Sequence, residues 1–212
     1  MGYRTFVSMK IALIGTGDVA MGYATRYANA GHEVLMAWRD GEEPELTQAL
    51  AESGQVHVYS IEEAAALADF IVIATSPIHV REVAYWLGDV RRKVIIDATS
   101  NIHTSVDEQV TTVCAIKAIT GSSHVIKVFS TRGYEKMLEP FFKHSQVQLI
   151  MVGESKKAKE VVKILVEDMG VNHFFDMGGN DAIPLFNEMT RGWRRLALSQ
   201  GAAVMPAEPV RI

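Results

Sequence analysis

Cys114 is the only cysteine among 212 residues, so no intrachain disulfide can form and a reducing interior is the natural setting. Its neighbours in TTVCAIKA are mostly apolar, which predicts a packed small thiol rather than a nucleophile. A basic surplus is also missing. The 21 Lys and Arg stand against 25 Asp and Glu, for a formal net charge of −4. Nucleic-acid binders usually carry a clear positive excess, so no nucleic-acid partner is expected. The short basic runs Arg91-Arg92-Lys93, Lys156-Lys157 and Arg194-Arg195 read as solvated faces.

No apolar run approaches the ~20 residues that a membrane helix needs. The opening MGYRTFVS holds neither an extended h-region nor a small-residue cleavage site. The expectation is a cytoplasmic protein without a membrane partner. Residues 1–9 read as an N-terminal extension, with Met9 as an alternative start, because the periodic pattern begins at Lys10. Motifs are missing as well. Without an HExxH, paired-cysteine or EF-hand-like cluster no metal site is expected, and without G-x-S-x-G no activated serine.

What is present is a globular composition, 48% hydrophobic and 22% charged, with room for a real core. Short β-rich runs alternate with helical stretches along the whole chain. The expected strands are Lys10–Gly15, Glu33–Trp38, Val56–Tyr59, Phe70–Thr75, Val94–Ala98, Val125–Phe129, Gln148–Val152 and Asn172–Phe175. Runs such as IALIG, FIVIAT and VIIDA are almost continuously apolar, as parallel strands covered on both faces must be. Gly31, Gly54 and Gly88 stand where helices would stop, and Ser60-Ile-Glu-Glu63 forms a capping box. In residues 77–88 the set Val80, Val83, Ala84 and Leu87 keeps one helical face. The alternation predicts an α/β fold: a Rossmann-type, doubly wound, mostly parallel sheet of about eight strands with helices on both faces. It forms a single domain over residues 10–205 with a C-terminal helix at 181–199. Residues 206–212 read as an irregular tail.

The first strand runs straight into Gly15-Thr16-Gly17-Asp18-Val19-Ala20, a G-x-G-x-x-A pattern that opens a helix. Gly15 permits the tight strand-to-helix turn, and Gly17 lets a pyrophosphate approach the backbone. Ala20, with Gly22 beyond it, allows close helix–strand packing. The helix N-terminus offers free N–H groups and a positive dipole end to phosphates. The glycines follow an apolar strand at the head of the alternation, and that context turns a weak pattern into a dinucleotide site.

The second strand ends in VLMAWRDG. The carboxylate that hydrogen-bonds both ribose hydroxyls of NAD would fall at about Trp38, whose indole cannot accept those bonds. Arg39 next door offers a planar fork suited to a phosphate. Such a charge-assisted bond is worth about 1.5–3 kcal/mol, roughly ten- to a hundredfold in affinity. Either Trp38 or Arg39 can stack on adenine. A competing reading makes Asp40 the ribose acid, although it lies past the strand end beside Gly41. The balance favours NADP.

With these residues placed, the chain resembles the family of small NADP-binding oxidoreductases typified by F420-dependent NADP reductase. It is similar also to the NADPH-binding domain of the STEAP metalloreductases and, more distantly, to the N-terminal half of pyrroline-5-carboxylate reductase. The stretches that carry the resemblance are KIALIGTGDVAMG (10–22), GHEVLMAWR (31–39), ADFIVIATSP (68–77), KVIIDATS (93–100), HVIKVFST (124–131) and GGNDAIPLFNEMTRGWRRLAL (178–198). The resemblance implies an NADPH site built from Gly15 to Ala20 and Arg39, with Thr75, Ser76 and Pro77 on the ribose and nicotinamide side. Ser100, Asn101, Phe129 and Ser130 would line the hydride-transfer cleft. Where F420-dependent relatives usually read DATN and KAFNT, this chain has Ser100 and Ser130 in place of asparagine, with Asn101 one residue on.

The acid–base inventory is thin. His79 and His103 follow the fourth and fifth strands and are the candidate proton donors, although an ordinary loop or helix-start histidine is the simpler account of each. Hydride exchange between nicotinamide and a flavin or deazaflavin needs alignment and exclusion of water more than acid catalysis. The expected function is therefore NADPH-dependent hydride transfer with a small planar redox acceptor such as a flavin, an F420-like deazaflavin or a quinone. A non-catalytic NADP(H) sensor and a carbonyl or imine reductase are the alternatives. In the last helix Leu185, Phe186, Met189, Trp193 and Leu196 share a helical spacing, which fits either a core-facing stripe or a homodimer interface. A homodimer is the expected assembly.

Overall fold

The computed structural model describes residues 7–39, 52–99, 112–130, 149–171 and 173–199. In chain order the elements are β1 (Lys10–Ile14), α1 (Asp18–Asn29), β2 (Glu33–Ala37), β3 (Val56–Val58), α2 (Ile61–Leu67), β4 (Phe70–Ile73), α3 (Val80–Trp86) and β5 (Val94–Asp97). Then come α4 (Thr112–Thr120), β6 (Val125–Ser130), β7 (Leu149–Val152), α5 (Lys156–Asp168), β8 (Phe174–Asp176) and α6 (Ile183–Ser199). Short 3-10 turns, Pro77–His79 and Asn180–Ala182, lead into α3 and α6.

The strands form one sheet in the order β3-β2-β1-β4-β5-β6-β7-β8. The first six are parallel, β7 runs antiparallel to β6, and β8 is parallel to β7. This is the doubly wound Rossmann arrangement: the strand order reverses about β1 and β4, and the crevice opens beyond their carboxyl ends. All eight expected strands are present, with ends differing by a residue or two. Gln148 and Asn172, two of the expected strand starts, lie outside the described residues.

Alternation along each strand splits the core in two. One layer packs Ile14, Leu35, Ile71, Ile73, Ile95 and Phe129 under α2, α3, α4 and the start of α6. The other packs Leu13, Val34, Met36, Val72, Ile96 and Val128 under α1 and α5. The expected inner face of α3 is realised, with Val80, Val83, Ala84 and Leu87 all buried. Ser60 and Glu63 close the capping box of α2 in both directions.

Three expectations need correction. Cys114 is exposed: α4 turns Val113, Ala115 and Ile116 inward and leaves the thiol on its outer side. Lys93 is not a solvated charge, since its ammonium donates to the carbonyls of Ala65, Ala66 and Ala68 and so caps the end of α2. Burial lowers its pKa. On α6, Leu185 is exposed, while Ile183 and Phe186 take the core-facing positions and Met189 packs beside them. The side chains of Trp193 and Leu196 lie outside the described residues. Among the described residues no helix is long and apolar enough to cross a membrane.

Candidate functional site

The turn after β1 is held by the sheet on both sides. The Gly15 amide donates to the Ala37 carbonyl at the end of β2 (2.8 Å), and the Ala74 amide after β4 donates to Ile14 (2.8 Å). Gly15 itself has φ +135°, and a Cβ there would lie 2.5 Å from the Ala74 carbonyl oxygen. Only glycine meets both demands. Gly17 stands at the N-cap of α1 with extended backbone and no side chain of its own, and a Cβ there would meet nothing within 4 Å. The N-terminus of α1 thus has room beside Gly17, as the approach of a pyrophosphate requires. Thr16, Gly17 and Val19 are exposed and Ala20 is buried against the sheet. Asp18 opens α1. Gly22 makes no close approach, so the helix–strand packing is carried by Ala20 and Ala24 instead.

At the end of β2, strand alternation sends the two candidate cofactor residues to opposite faces. Trp38 is partly buried and packs with the α1 layer. Arg39 is exposed and turns towards α3, where its Nη1 donates to Glu82 Oε2 at 2.9 Å. The segment after β4 carries Thr75 and Ser76, both half-buried, and Pro77, which is buried at the head of the 3-10 turn. His79 closes that turn, with Nδ1 3.9 Å from the same Glu82 oxygen. Gly15–Ala20, Arg39 and Thr75–Pro77 therefore share the carboxyl edge of β1, β2 and β4.

The expected substrate residues are distributed differently. Ser100, Asn101 and His103 lie outside the described residues. Ser130 is the last residue of β6, paired with Leu149. Phe129, expected to line the cleft, is 6% exposed and meets Phe186 edge-on with ring centroids 6.0 Å apart. Its ring belongs to the core.

Next to that edge lies a cluster that reading the sequence missed. Asp97 and Lys127 face each other in register on β5 and β6, with Nζ and Oδ2 3.0 Å apart and side-chain exposures of 0% and 7%. Thr99 donates through its hydroxyl (2.6 Å) and its amide (3.0 Å) to Asp97 Oδ1, and Thr112 on α4 donates to Oδ2. The Lys127 ammonium reaches the Thr99 carbonyl (3.2 Å), the Thr99 hydroxyl (3.2 Å) and the Thr112 hydroxyl (3.1 Å). A buried pair is tolerated only when its remaining polar atoms are satisfied, and here they are. The signal in the sequence was one acid and one base, each at the same depth of an apolar strand, in VIID and VIKVF. Among the described residues no group of three or more His, Cys, Asp or Glu could hold a metal.

Comparison with known proteins places these residues in context. Residues 10–101 match the family of coenzyme F420-dependent NADP oxidoreductases. That stretch holds the glycine turn, Arg39 and the segment after β4, and it bears out the resemblance read from the sequence. Over 108 residues the chain is 40% identical to the F420-dependent NADP reductase of Methanothermobacter thermautotrophicus, a match covering 46% of each protein. The chain thus spans about half the length of that curated relative. Among solved structures, a protein from Arthrobacter sp. FB24, provisionally described as an F420-dependent NADP reductase, superposes with a TM-score of 0.74 at 24% identity. That likeness covers 96% of this chain and 100% of the other. An imine reductase from Aspergillus terreus reaches a TM-score of 0.64 at 12% identity, over 92% of this chain and 64% of its own. Likeness at such identities establishes the fold, a Rossmann-type doubly wound sheet.

Proposed function

We propose that the chain is an NADPH-dependent oxidoreductase that exchanges a hydride with a small planar redox acceptor, a flavin, an F420-like deazaflavin or a quinone. The observation that carries this reading is the glycine turn of Gly15 and Gly17 leading into the α1 N-terminus, with Arg39 at the end of the adjacent strand. The family match over the same residues and the name of the Methanothermobacter relative support the choice of cofactor and acceptor class.

In this reading the amides of Thr16 to Ala20 hold the pyrophosphate, and the Arg39 guanidinium holds the 2′-phosphate that distinguishes NADPH from NADH. Trp38 packs beneath the adenosine side, while Thr75, Ser76 and Pro77 orient the ribose and nicotinamide. Bound there, the nicotinamide supplies the hydride at C4. Ser100 and Asn101, after β5 in the chain, and Ser130, the last residue of β6, line the acceptor side. His79 is the described candidate for a proton donor, should the acceptor need one. The protein's contribution is alignment and exclusion of water. The reading includes one domain over residues 10–205 and a cytoplasmic homodimer, with the outer side of α6, where Leu185 is 59% exposed, as the docking face.

The test is NADPH oxidation by the full chain with F420, FMN, FAD and quinones, beside equilibrium binding of NADPH and NADH. Turnover with at least one acceptor is expected, together with a preference for NADPH that Arg39→Ala lowers by roughly ten- to a hundredfold. Tight NADPH binding without turnover on any acceptor would convert the enzyme into a nucleotide sensor.

A further inference from the structure

The residue expected to grip the 2′-phosphate already has a partner. The ion pair between Arg39 Nη1 and Glu82 Oε2, at 2.9 Å, joins the end of β2 to the helix that follows β4. Those two strands flank β1 and its glycine turn. Both side chains are open to solvent, 48% and 41% exposed, so a ligand can reach the guanidinium without unpacking the core. We propose that Glu82 is a specificity-determining residue that competes with the 2′-phosphate for Arg39 and so narrows the margin between NADPH and NADH. This rests on the reading of Arg39 as the phosphate ligand.

The physical case turns on charge. A phosphate monoester brings about −1.5 to −2 charges at neutral pH, and it must share the guanidinium with a carboxylate already bonded to it. Either the Arg39–Glu82 bond breaks, or two anions stand on one cation and repel. The ribose hydroxyls of NADH carry no charge and do not need Arg39, so they escape both penalties. Glu82 thus acts on one cofactor only. His79 Nδ1, 3.9 Å from the same oxygen, is a second basic group beside the carboxylate.

Calorimetric titration of the full chain with NADPH and NADH, for the native sequence, Glu82→Gln and Arg39→Ala, tests the proposal. An exposed ion pair of ~0.2–1 kcal/mol corresponds to at most about fivefold, so Glu82→Gln is expected to tighten NADPH about two- to fivefold and to leave NADH within twofold. The gain should shrink at ~1 M salt, where screening acts within about 3 Å. If Arg39→Ala weakens NADPH but Glu82→Gln leaves it unchanged or weakens it, the carboxylate aligns the arginine instead and the proposal falls alone. If Arg39→Ala leaves NADPH affinity untouched, the cofactor reading falls and takes the proposal with it.

Discussion

Where β1 and β4 meet, the chain approaches itself through backbone alone, with Gly15 against the Ala74 carbonyl and clear space beside Gly17 at the head of α1. Two strands away, at the ends of β5 and β6, the same sheet edge is held by side chains, with Asp97, Lys127, Thr99 and Thr112 satisfying one another in near-complete burial. The first corner sets a helix N-terminus beside a glycine with room around it and suits a charged ligand. The second has no donor to spare: the three ammonium protons of Lys127 face four protein oxygens. Binding and rigidity are thus divided between neighbouring corners. In the proposed function the cofactor would dock on the open corner, and the closed one would fix the ends of β5 and β6 on the acceptor side.

The largest effect is expected from breaking the closed corner. Asp97→Ala leaves a buried ammonium with only neutral partners and should cost about 3–5 kcal/mol, read from denaturant unfolding. The double change Asp97→Leu with Lys127→Met removes both charges and should recover much of that loss. Were the double variant no more stable than the single one, the network would be more than a charge-neutral clamp. Where the double variant folds well, the proposed function expects NADPH affinity near native while turnover falls.

The open corner breaks differently. Gly15→Ala places a Cβ 2.5 Å from a carbonyl oxygen at φ +135°. Strain and crowding together should cost about 2–4 kcal/mol. The two corners then separate in their ligand response: a folded Gly15→Ala should lose NADPH binding, whereas the double variant at the closed corner keeps it. Equal losses of binding in both would erase the distinction.

Legibility in the sequence followed the same divide. The open corner was readable because glycine and alanine at fixed spacing after an apolar strand have few alternative explanations. Gly22, outside that logic, was credited with packing it does not perform. The closed corner was not readable, because Asp97 and Lys127 are 30 positions apart and become partners only once β5 and β6 pair in register. Strand alternation sent Trp38 and Arg39 to opposite faces, but it could not show that Arg39 would meet Glu82, which is brought near by the β4–α3 crossover. Local patterns also misplaced Cys114 and Leu185. Apolar neighbours suggested burial, and the helix phase decided otherwise.

A smaller effect probes the helix that supports the open corner. Tyr23 and Tyr27 on α1 stack at 5.8 Å between centroids inside the second core layer. Burial pushes the Tyr23 phenol up to about 12, and burial together with the Tyr23 charge raises Tyr27 well above its ordinary value. Both shifts favour the protonated form in the folded chain. The Tyr23 contribution is complete below about pH 10, where the unfolded phenol is still neutral, and is lost as pH rises towards about 12, with Tyr27 acting in the same direction. Each tyrosine should steepen the fall in stability by up to about 1.4 kcal/mol per pH unit in that window. Tyr23→Phe removes one such share while keeping the packed ring. Lysines ionising in the same range do so in both proteins, so the difference between the two pH–stability curves isolates the phenol. Parallel curves from pH 10 to 12 would show that α1 opens before its tyrosines titrate, and that the open corner rests on a looser helix than the dry stacking of its rings implies.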